Sequence, residues 1–326
     1  MKKIVIFGST GNIGAYFTDY CNNMIDKKQY EVIAVGRKHT DYYKKAGIEY
    51  INVDLCNASD FERLPTEDLY AVVNLAGLLP AYMKEYDPFK YVETNINGAL
   101  RILEYARKNN ADRALYTQTW AEQAGYWGKE DVLHPEYPRK LLFTGDHAFY
   151  AITKSMIVDT MEYYKQEYGL KNFVFRLPNV YLYHPEKYYY VDCVKKPIGY
   201  RYMIDKATAG DTIEMWGNPD AFKDILYIKD LCQMMYKALF AQVDAGTGIR
   251  TTLREQIEGI VDVFSPKEHR SNIVEKPEKS SFTSFVMDIE NAKKDLGYKP
   301  EFSYIRYLQD YKNEQELNRF AELWRK

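Results

Sequence analysis

The first half of the chain alternates short apolar runs with longer segments in which apolar residues recur at helical spacing. Several runs are almost continuously apolar, which is typical of strands that are buried on both faces of a sheet. The clearest helical segments are Pro88–Lys108 and His147–Tyr168. Strands are predicted at Lys3–Phe7, Val32–Val35, Ile48–Val53, Ala71–Leu75, Ala114–Thr117 and Phe173–Leu177. This alternation predicts an α/β fold with a doubly wound parallel sheet and right-handed crossovers.

After Leu177 the alternation stops, because prolines divide the chain into short segments, at Pro178, Pro185, Pro197 and Pro219. The run Asp224–Asp230 predicts a strand that leads into a helix at Leu231–Ala241. A short helix is predicted at Ile289–Leu296, and an amphipathic helix from about Tyr304 onward. This half is therefore expected to form a smaller, mixed α/β domain.

Composition and charge exclude several classes of function. The 44 basic and 46 acidic residues nearly cancel, so nothing indicates a nucleic-acid surface. No stretch of 18 apolar residues occurs, and we expect no membrane span. The four cysteines and five histidines show no metal-ligand spacing, so we expect no metal site and a reducing cytoplasmic location.

Three glycines at intervals of three residues, Gly8, Gly11 and Gly14, follow the first strand and open a helix. The first permits a tight turn, the second lets the backbone approach a pyrophosphate, and the third lets helix and strand pack closely. The intervening residues of this turn that we expect to contact the cofactor are Thr10, Asn12 and Ile13. The pattern predicts a Rossmann-type dinucleotide site, the alternative being an ordinary glycine-containing turn.

The end of the second strand bears on which dinucleotide binds. An NAD site usually has Asp or Glu there, on the ribose 2′-hydroxyl, but this chain has Arg37 followed by Lys38. A guanidinium can pair with a 2′-phosphate, which a carboxylate would repel. We therefore favour NADP over NAD, although both cations can also be solvated surface charges.

Tyr150 and Lys154 stand four residues apart, so on a helix they share one face. An isolated tyrosine has a pKa of about 10, and lowering it to about 7 takes roughly 4 kcal/mol. A nearby ammonium and an oxidised nicotinamide can supply this. The pair alone is a weak signal in a chain rich in both residues, but its position after the fifth strand strengthens it. Thr117 and Thr119 close that strand, where a hydroxyl can hold the oxygen of a substrate.

These motifs and their order resemble the extended short-chain dehydrogenase/reductase family, in its nucleotide-sugar epimerase/dehydratase branch. The resemblance covers almost the whole chain. It is carried by the glycine run, Asp54–Leu55, Asn74–Gly77, Asn95 with Gly98, Tyr150 with Lys154, Arg176–Tyr181, Lys223–Asp230 and Asp288–Pro300.

The resemblance implies roles for individual residues. Tyr150 is similar to the family's catalytic acid/base, Lys154 to its ribose-binding cation, and Thr119 to the residue that orients the sugar hydroxyl. Asn179 resembles the asparagine that contacts the nucleotide-sugar diphosphate. Cofactor contacts are also implied at Asp54, Leu55, Leu75, Ala76, Gly77 and Asn95. The family further implies a homodimer that pairs through Pro88–Lys108 and His147–Tyr168.

Several positions depart from the family pattern. Dehydratases of this branch have Asp-Glu where this chain has Trp120 and Ala121, so we disfavour a dehydratase unless Glu122 substitutes through a shifted loop. Two arginines that usually grip the substrate diphosphate are Lys223 and Lys279 here, and lysine lacks the bidentate fork. His147 is either a second base or surface of the first helical turn.

We therefore predict an NAD(P)-binding Rossmann domain at residues 1–176, to which residues 223–240 return. Residues 177–222 and 241–326 are predicted to form the substrate-binding domain. The function expected is hydride transfer at a sugar carbon, with C4 favoured, as an epimerase or as a 4-ketoreductase. A net reductase gains from NADPH and an epimerase does not, so the Gly36–Arg37 pair leans toward reduction. The alternative is a catalytically silent NADP-binding regulatory or scaffold protein.

Overall fold

A computed structural model describes residues 1–241, 250–280 and 282–325. Residues 242–249, 281 and 326, all of which belong to the predicted second domain, lie outside the described residues. In chain order the strands are β1 (Lys2–Phe7), β2 (Tyr30–Gly36), β3 (Glu49–Asn52), β4 (Leu69–Asn74), β5 (Arg113–Thr119), β6 (Val132–Leu133), β7 (Lys171–Leu177), β8 (Asn179–Tyr181), β9 (Tyr188–Val191), β10 (Val194–Pro197), β11 (Ile213–Trp216), β12 (Phe222–Tyr227), β13 (Arg250–Thr252), β14 (Ile273–Lys276) and β15 (Val286–Met287).

The helices, also in chain order, are α1 (Asn12–Met24), α2 (Tyr42–Lys45), α3 (Pro88–Tyr91), α4 (Gly98–Lys108), α5 (His147–Tyr168), α6 (Gly199–Ala209), α7 (Ile228–Phe240), α8 (Leu253–Phe264), α9 (Glu290–Leu296), α10 (Tyr304–Leu317) and α11 (Ala321–Trp324).

The predicted strands of the first half form one six-stranded parallel sheet in the order β3-β2-β1-β4-β5-β7. Both faces of this sheet are buried, which explains the continuous apolar runs. Along β1, Ile4 and Ile6 pack into one core cluster, and Val5 and Phe7 pack into the other. The doubly wound prediction is confirmed. The strand order reverses between β1 and β4, and folds of this type bind ligands at the carboxyl ends of strands at such a point.

The two long predicted helices lie beside this sheet. The first, Pro88–Lys108, is helical throughout but contains a π-helical stretch, Val92–Asn97, between α3 and α4. The second matches α5 and ends at Gly169, whose left-handed backbone (φ 72°) suits glycine. Both elements were therefore readable from apolar spacing, whereas the π-helical stretch was not.

The second half departs more from the sequence reading. The predicted strand Asp224–Asp230 ends at Tyr227, and α7 already begins at Ile228. Strand β12 pairs with β8 and β13 rather than with the six-stranded sheet, while α7 packs against α1. The helical part of the returning segment packs against the first domain, whereas its strand pairs with strands of the second half, and the domain division stays a prediction. Helices α6 and α8 were not predicted. A capping box formed by Thr252 and Glu255 starts α8.

Candidate functional site

The turn between β1 and α1 brings the three glycines together. The Gly8 amide donates to the carbonyl of Val35 at 2.9 Å, and its φ of 83° suits a residue without a side chain. A Cβ added to Gly14 would lie 2.0 Å from the Gly8 carbonyl oxygen, so only glycine fits there. Helix α1 starts at Asn12 behind Gly11, and no side chain caps its first amides. Uncapped amides at a helix N-terminus are suited to a dinucleotide pyrophosphate.

Other residues of the turn hold it against the neighbouring strand. A Cβ added to Gly36, at the end of β2, would lie 2.8 Å from Oγ1 of Thr10. Ile13 packs against the core. These contacts position the predicted cofactor residues at the carboxyl edge of the sheet.

The segment after β4 closes on the same turn. A Cβ added to Gly8 would lie 2.6 Å from the Ala76 amide nitrogen, and the Leu75 amide donates to the Phe7 carbonyl at 3.0 Å. A Cβ added to Gly77 would come within 3.3 Å of Oδ1 of Asn95. Two predicted cofactor segments that are far apart in sequence are therefore in contact.

Asn95 lies in the π-helical stretch and is 3% exposed. Its Oδ1 accepts from the Leu78 amide at 2.7 Å, and its Nδ2 donates to the Leu78 carbonyl at 3.0 Å and to Oγ1 of Thr153 at 3.3 Å. The side chain thus joins the segment after β4 to α5. Its role in this structure is to position the residues around the site.

The turn after β3 holds two further predicted cofactor contacts, Asp54 and Leu55. The Asp54 carboxylate accepts from the Cys56 amide at 2.9 Å, and Leu55 is buried against Gly98 at the start of α4. The Leu55 carbonyl also accepts from Arg101 at 2.8 Å. These bonds fix the turn at the same edge as the glycine turn.

The two cations after β2 are used differently. Lys38 donates to the Leu323 carbonyl at 2.8 Å and to the Arg325 carbonyl, so it holds the C-terminal segment. Arg37 is exposed, and its guanidinium makes no hydrogen bond or ion pair within the described ranges. Of the two, Arg37 is the cation that remains for a ligand.

Tyr150 and Lys154 both lie on α5, and burial dominates their electrostatics in the chain alone. Lys154 is 4% exposed, its Nζ lies 3.9 Å from the centroid of the Tyr116 ring, and burial lowers its pKa to about 7. Burial raises the pKa of Tyr150 above its ordinary value, with smaller contributions from Tyr91 and Tyr82. The sequence predicted that an ammonium and an oxidised nicotinamide together lower the Tyr150 pKa. In the chain alone desolvation raises it, so the lowering stays a prediction for the protein with its dinucleotide bound.

Tyr82, which sequence reasoning missed, lies close to both halves of the site. Its hydroxyl accepts from Nδ2 of Asn12 at 3.1 Å, and its electrostatic effect reaches Tyr150. The segment Pro80–Tyr82 also contacts β9. Tyr82 ends a short 3-10 helix that carries no motif, so no pattern in the sequence distinguished it from the other tyrosines.

Thr119 ends β5 and is 6% exposed. Its amide donates to Oε1 of Gln118 at 2.8 Å, and the Gln118 Nε2 donates to Oγ of Ser155 at 3.2 Å. Ser155 neighbours Lys154 on α5. The end of β5 and the helix that carries the Tyr–Lys pair are therefore joined by one buried glutamine.

Glu122 is held beneath this edge. It is 2% exposed, accepts from Nε2 of Gln118 at 2.8 Å and from Nε of Arg176, and lies 3.6 Å from Nε of Arg139. A carboxylate that is buried and paired in this way anchors the network and is not free to act on a substrate.

The Trp120 ring turns into an aromatic cluster instead of the site. It stacks on Trp127, with ring centroids 4.1 Å apart, and on Phe285 at 4.6 Å. Trp120, which stands where dehydratases of this branch have a carboxylate, therefore packs within this aromatic cluster.

Three of the predicted substrate-binding residues, Asn179, Lys223 and Lys279, contact different parts of the chain. Asn179 opens β8 and pairs with Ile225 of β12. Lys223 places its Nζ 3.7 Å from the centroid of the Phe282 ring, and burial lowers its pKa to about 8. Lys279 is paired instead with Glu214 at 2.6 Å. The two lysines that replace arginines thus have different surroundings.

Two further searches concern metals and membranes. Among the residues that the structure describes, no group of three or more His, Cys, Asp or Glu side chains is placed to hold a metal ion. Within the same ranges no helix has the length and apolar character to cross a membrane.

Comparison with known proteins gives a family and an overall likeness. The model of a family described as "NAD dependent epimerase/dehydratase family" matches residues 4–249. A relative named "Putative UDP-glucose 4-epimerase", from Methanocaldococcus jannaschii, is 22% identical over 304 residues, covering 91% of this chain and 93% of the relative. An Escherichia coli protein named "dTDP-glucose 4,6-dehydratase 1" is 24% identical over 343 residues, covering 93% of this chain and 89% of the relative.

Among solved structures, a UDP-glucose 4-epimerase from Thermotoga maritima, crystallised with UDP-glucose, has a similar fold. Its TM-score is 0.77 at 20% identity, and the match covers 96% of this chain and 99% of that one.

Proposed function

We propose, from the premise that the chain belongs to the NAD dependent epimerase/dehydratase family, that it is an enzyme which transfers hydride at C4 of a nucleotide-activated sugar. The observation that carries the proposal is the placement of Tyr150 and Lys154. They lie on α5, which the Gln118–Ser155 bond joins to the end of β5. The glycine turn follows β1 at the same edge of the sheet, and no side chain caps the helix that it opens.

The residues present fit a nicotinamide dinucleotide. The glycine turn would hold the pyrophosphate, Leu75–Gly77 would border the cofactor, and Lys154 would contact the ribose. The nicotinamide would exchange a hydride with the sugar carbon, and its positive charge in the oxidised form would favour the Tyr150 phenolate. Tyr150 would move the proton of the sugar hydroxyl while Thr119 holds the oxygen.

We propose NADP as the preferred dinucleotide and NAD as the second choice. The family description names NAD, whereas the exposed Arg37 supports a 2′-phosphate. Lys38 contributes little, because its Nζ is engaged by the C-terminal segment.

Two reactions share this chemistry. A 4-epimerase oxidises C4 and reduces it again from the other face, and the names of the relatives support this reaction. A 4-ketoreductase performs only the reduction, which NADPH supports. The engaged Glu122 and the stacked Trp120 disfavour dehydration, although a dehydratase is among the relatives.

The test is stoichiometry with defined probes. The protein is incubated with UDP-glucose, with dTDP-glucose and with a UDP-4-keto sugar, each with NADP(H) or NAD(H), and sugar products are followed by NMR. A ketoreductase consumes one NADPH per product, and an epimerase forms the C4 epimer without net consumption. Elimination of water from dTDP-glucose, or the absence of hydride transfer to every probe, would overturn the proposal.

We also propose a homodimer that pairs through α4 and α5. Both helices expose apolar side chains, Leu100 on α4 and Met156 with Tyr163 on α5. Sedimentation analysis of the protein and of Met156→Glu tests this: the variant should be monomeric, and a monomeric wild type contradicts the proposal.

A further inference from the structure

His147 lies one helical turn before Tyr150 on α5, on the same face. The two ring centroids are 6.4 Å apart and the rings are nearly perpendicular, at 80°. The imidazole therefore sits at the edge of the proposed acid/base. Its side chain is 50% exposed, so it also contacts water.

A carboxylate orients this imidazole. Nδ1 of His147 lies 2.6 Å from Oδ1 of Asp146. The other oxygen of Asp146 accepts from the Asp192 amide at 3.3 Å, in the turn between β9 and β10. Because the carboxylate engages Nδ1, the remaining ring nitrogen, Nε2, is the one available to exchange a proton.

Of the aromatic rings that lie beside Tyr150 among the described residues, that of His147 is half exposed to water. Within the described residues, the rings of Tyr91 and His147 lie beside the Tyr150 ring, and the electrostatic effect of Tyr82 also reaches it. Tyr91 is 1% exposed, and burial raises its pKa, so it does not exchange protons near neutral pH. Lys154 is buried with its Nζ against the Tyr116 ring. An imidazole has two ring nitrogens, one of which can accept a proton while the other donates one.

We propose that His147, oriented by Asp146, passes protons between the Tyr150 hydroxyl and bulk water. This inference rests on the proposed function, since Tyr150 must exchange a proton for the relay to matter. In reduction the sugar carbonyl carbon gains a hydride, and its oxygen takes the proton of Tyr150. The phenolate then takes a proton from Nε2 of His147, and the imidazole regains one from water. Ketone, reduced dinucleotide and one proton thus give alcohol and oxidised dinucleotide.

The two proposed reactions differ in whether they need this relay. An epimerase returns to the sugar the proton that it removed, so Tyr150 needs no exchange with water during turnover. A ketoreductase consumes one proton from water in each cycle. The half-exposed His147–Asp146 pair therefore suits net reduction.

The first experiment uses the protein without cofactor or substrate. Long-range proton–nitrogen NMR resolves the ring nitrogens of the five histidines, and His147→Gln assigns the signal. Tyr150→Phe should shift Nε2 of His147, and Asp146→Asn should shift its Nδ1. His134 is the matched control, because its Nδ1 lies 2.6 Å from Asp288 and its side chain is 40% exposed. An Nε2 signal that Tyr150→Phe leaves unmoved would overturn the relay.

The second experiment measures net turnover of the UDP-4-keto sugar with NADPH in water and in deuterium oxide. His147→Gln should lower kcat on the order of 100-fold, enlarge the solvent isotope effect and recover in added imidazole. His134→Gln should match the wild type. Equal rates and isotope effects for His147→Gln and wild type would overturn the relay, whereas a wild type without hydride transfer overturns the proposed function instead.

Discussion

The glycine turn and strand β12 each bring motif residues to the edge of a sheet, but they hold them by different means. At the turn the contacts are between backbones, such as the Gly8 amide on the Val35 carbonyl and the close approach of Gly14 to Gly8. At β12 the long side chain of Lys223 lies on the Phe282 ring, which comes from a distant part of the chain. Local backbone geometry positions the first region, and tertiary neighbours position the second.

The lysines make the same contrast in electrostatics. Lys154 and Lys223 both place Nζ over an aromatic ring, and burial lowers their pKa values to about 7 and about 8. Lys279 also lies over a ring, with its Nζ 4.2 Å from the centroid of Trp216, but it has a carboxylate partner, Glu214. The charge that a motif lysine carries therefore depends on its neighbours rather than on the motif.

The largest effect is expected when the proposed acid/base on the cofactor side, Tyr150, is replaced. Tyr150→Phe removes the proposed proton donor and should lower kcat on the order of 1000-fold, with cofactor affinity nearly unchanged. Single-turnover kinetics and cofactor titration measure the two quantities. Tyr163→Phe, on the exposed part of α5, is the control. Retention of full activity in Tyr150→Phe would favour the scaffold alternative.

The next effect tests whether the backbone of the turn tolerates a side chain. Gly14→Ala must displace the Gly8 carbonyl, so we expect a loss of about 1–3 kcal/mol in the free energy of unfolding and of most dinucleotide binding. Denaturant unfolding and calorimetry measure these changes. Gly199→Ala adds a methyl group where no atom lies within 4 Å and should leave both unchanged. Equal behaviour of the two variants would show that the close approach is unimportant.

A smaller effect is expected on the substrate side, and it depends on pH. The pKa of Lys223 is lowered to about 8, so its ammonium is present below that pH and is lost above it. KM for UDP-glucose should rise as pH increases from 7 to 9, and Lys223→Met should raise it about 10-fold at pH 7 and abolish this dependence. Lys279→Met should have a weaker effect, because Glu214 already offsets that charge. A pH-independent KM in the wild type would contradict the substrate role of Lys223.

An effect of similar size separates the two cations after β2. Arg37→Gln should weaken NADP binding about 10-fold by removing a charge-assisted contact, and it should leave NAD binding unchanged. Lys38→Gln should change neither affinity much, because Lys38 is bound to the C-terminal segment. Fluorescence titration with both dinucleotides decides the matter, and equal weakening of NAD and NADP by Arg37→Gln would argue against 2′-phosphate recognition.

Apolar runs and helical spacing predicted the strands of the six-stranded sheet and α5. Glycine spacing pointed to Gly8 and Gly14, and the position of Thr119 and Tyr150 after the fifth strand, together with the family resemblance, pointed to those two residues. This was possible because a strand that is buried on both faces needs a continuous apolar run, and a helix face needs four-residue spacing, and both patterns are visible in the local sequence.

The tertiary structure decided what the sequence pattern left open. It brought Tyr82 onto Asn12, buried Glu122 against Arg176, and left Arg37 exposed while engaging Lys38. Each of these contacts joins residues that are dozens or hundreds of positions apart. Long polar side chains choose partners by proximity and desolvation in the folded chain, and neither quantity can be read from sequence spacing.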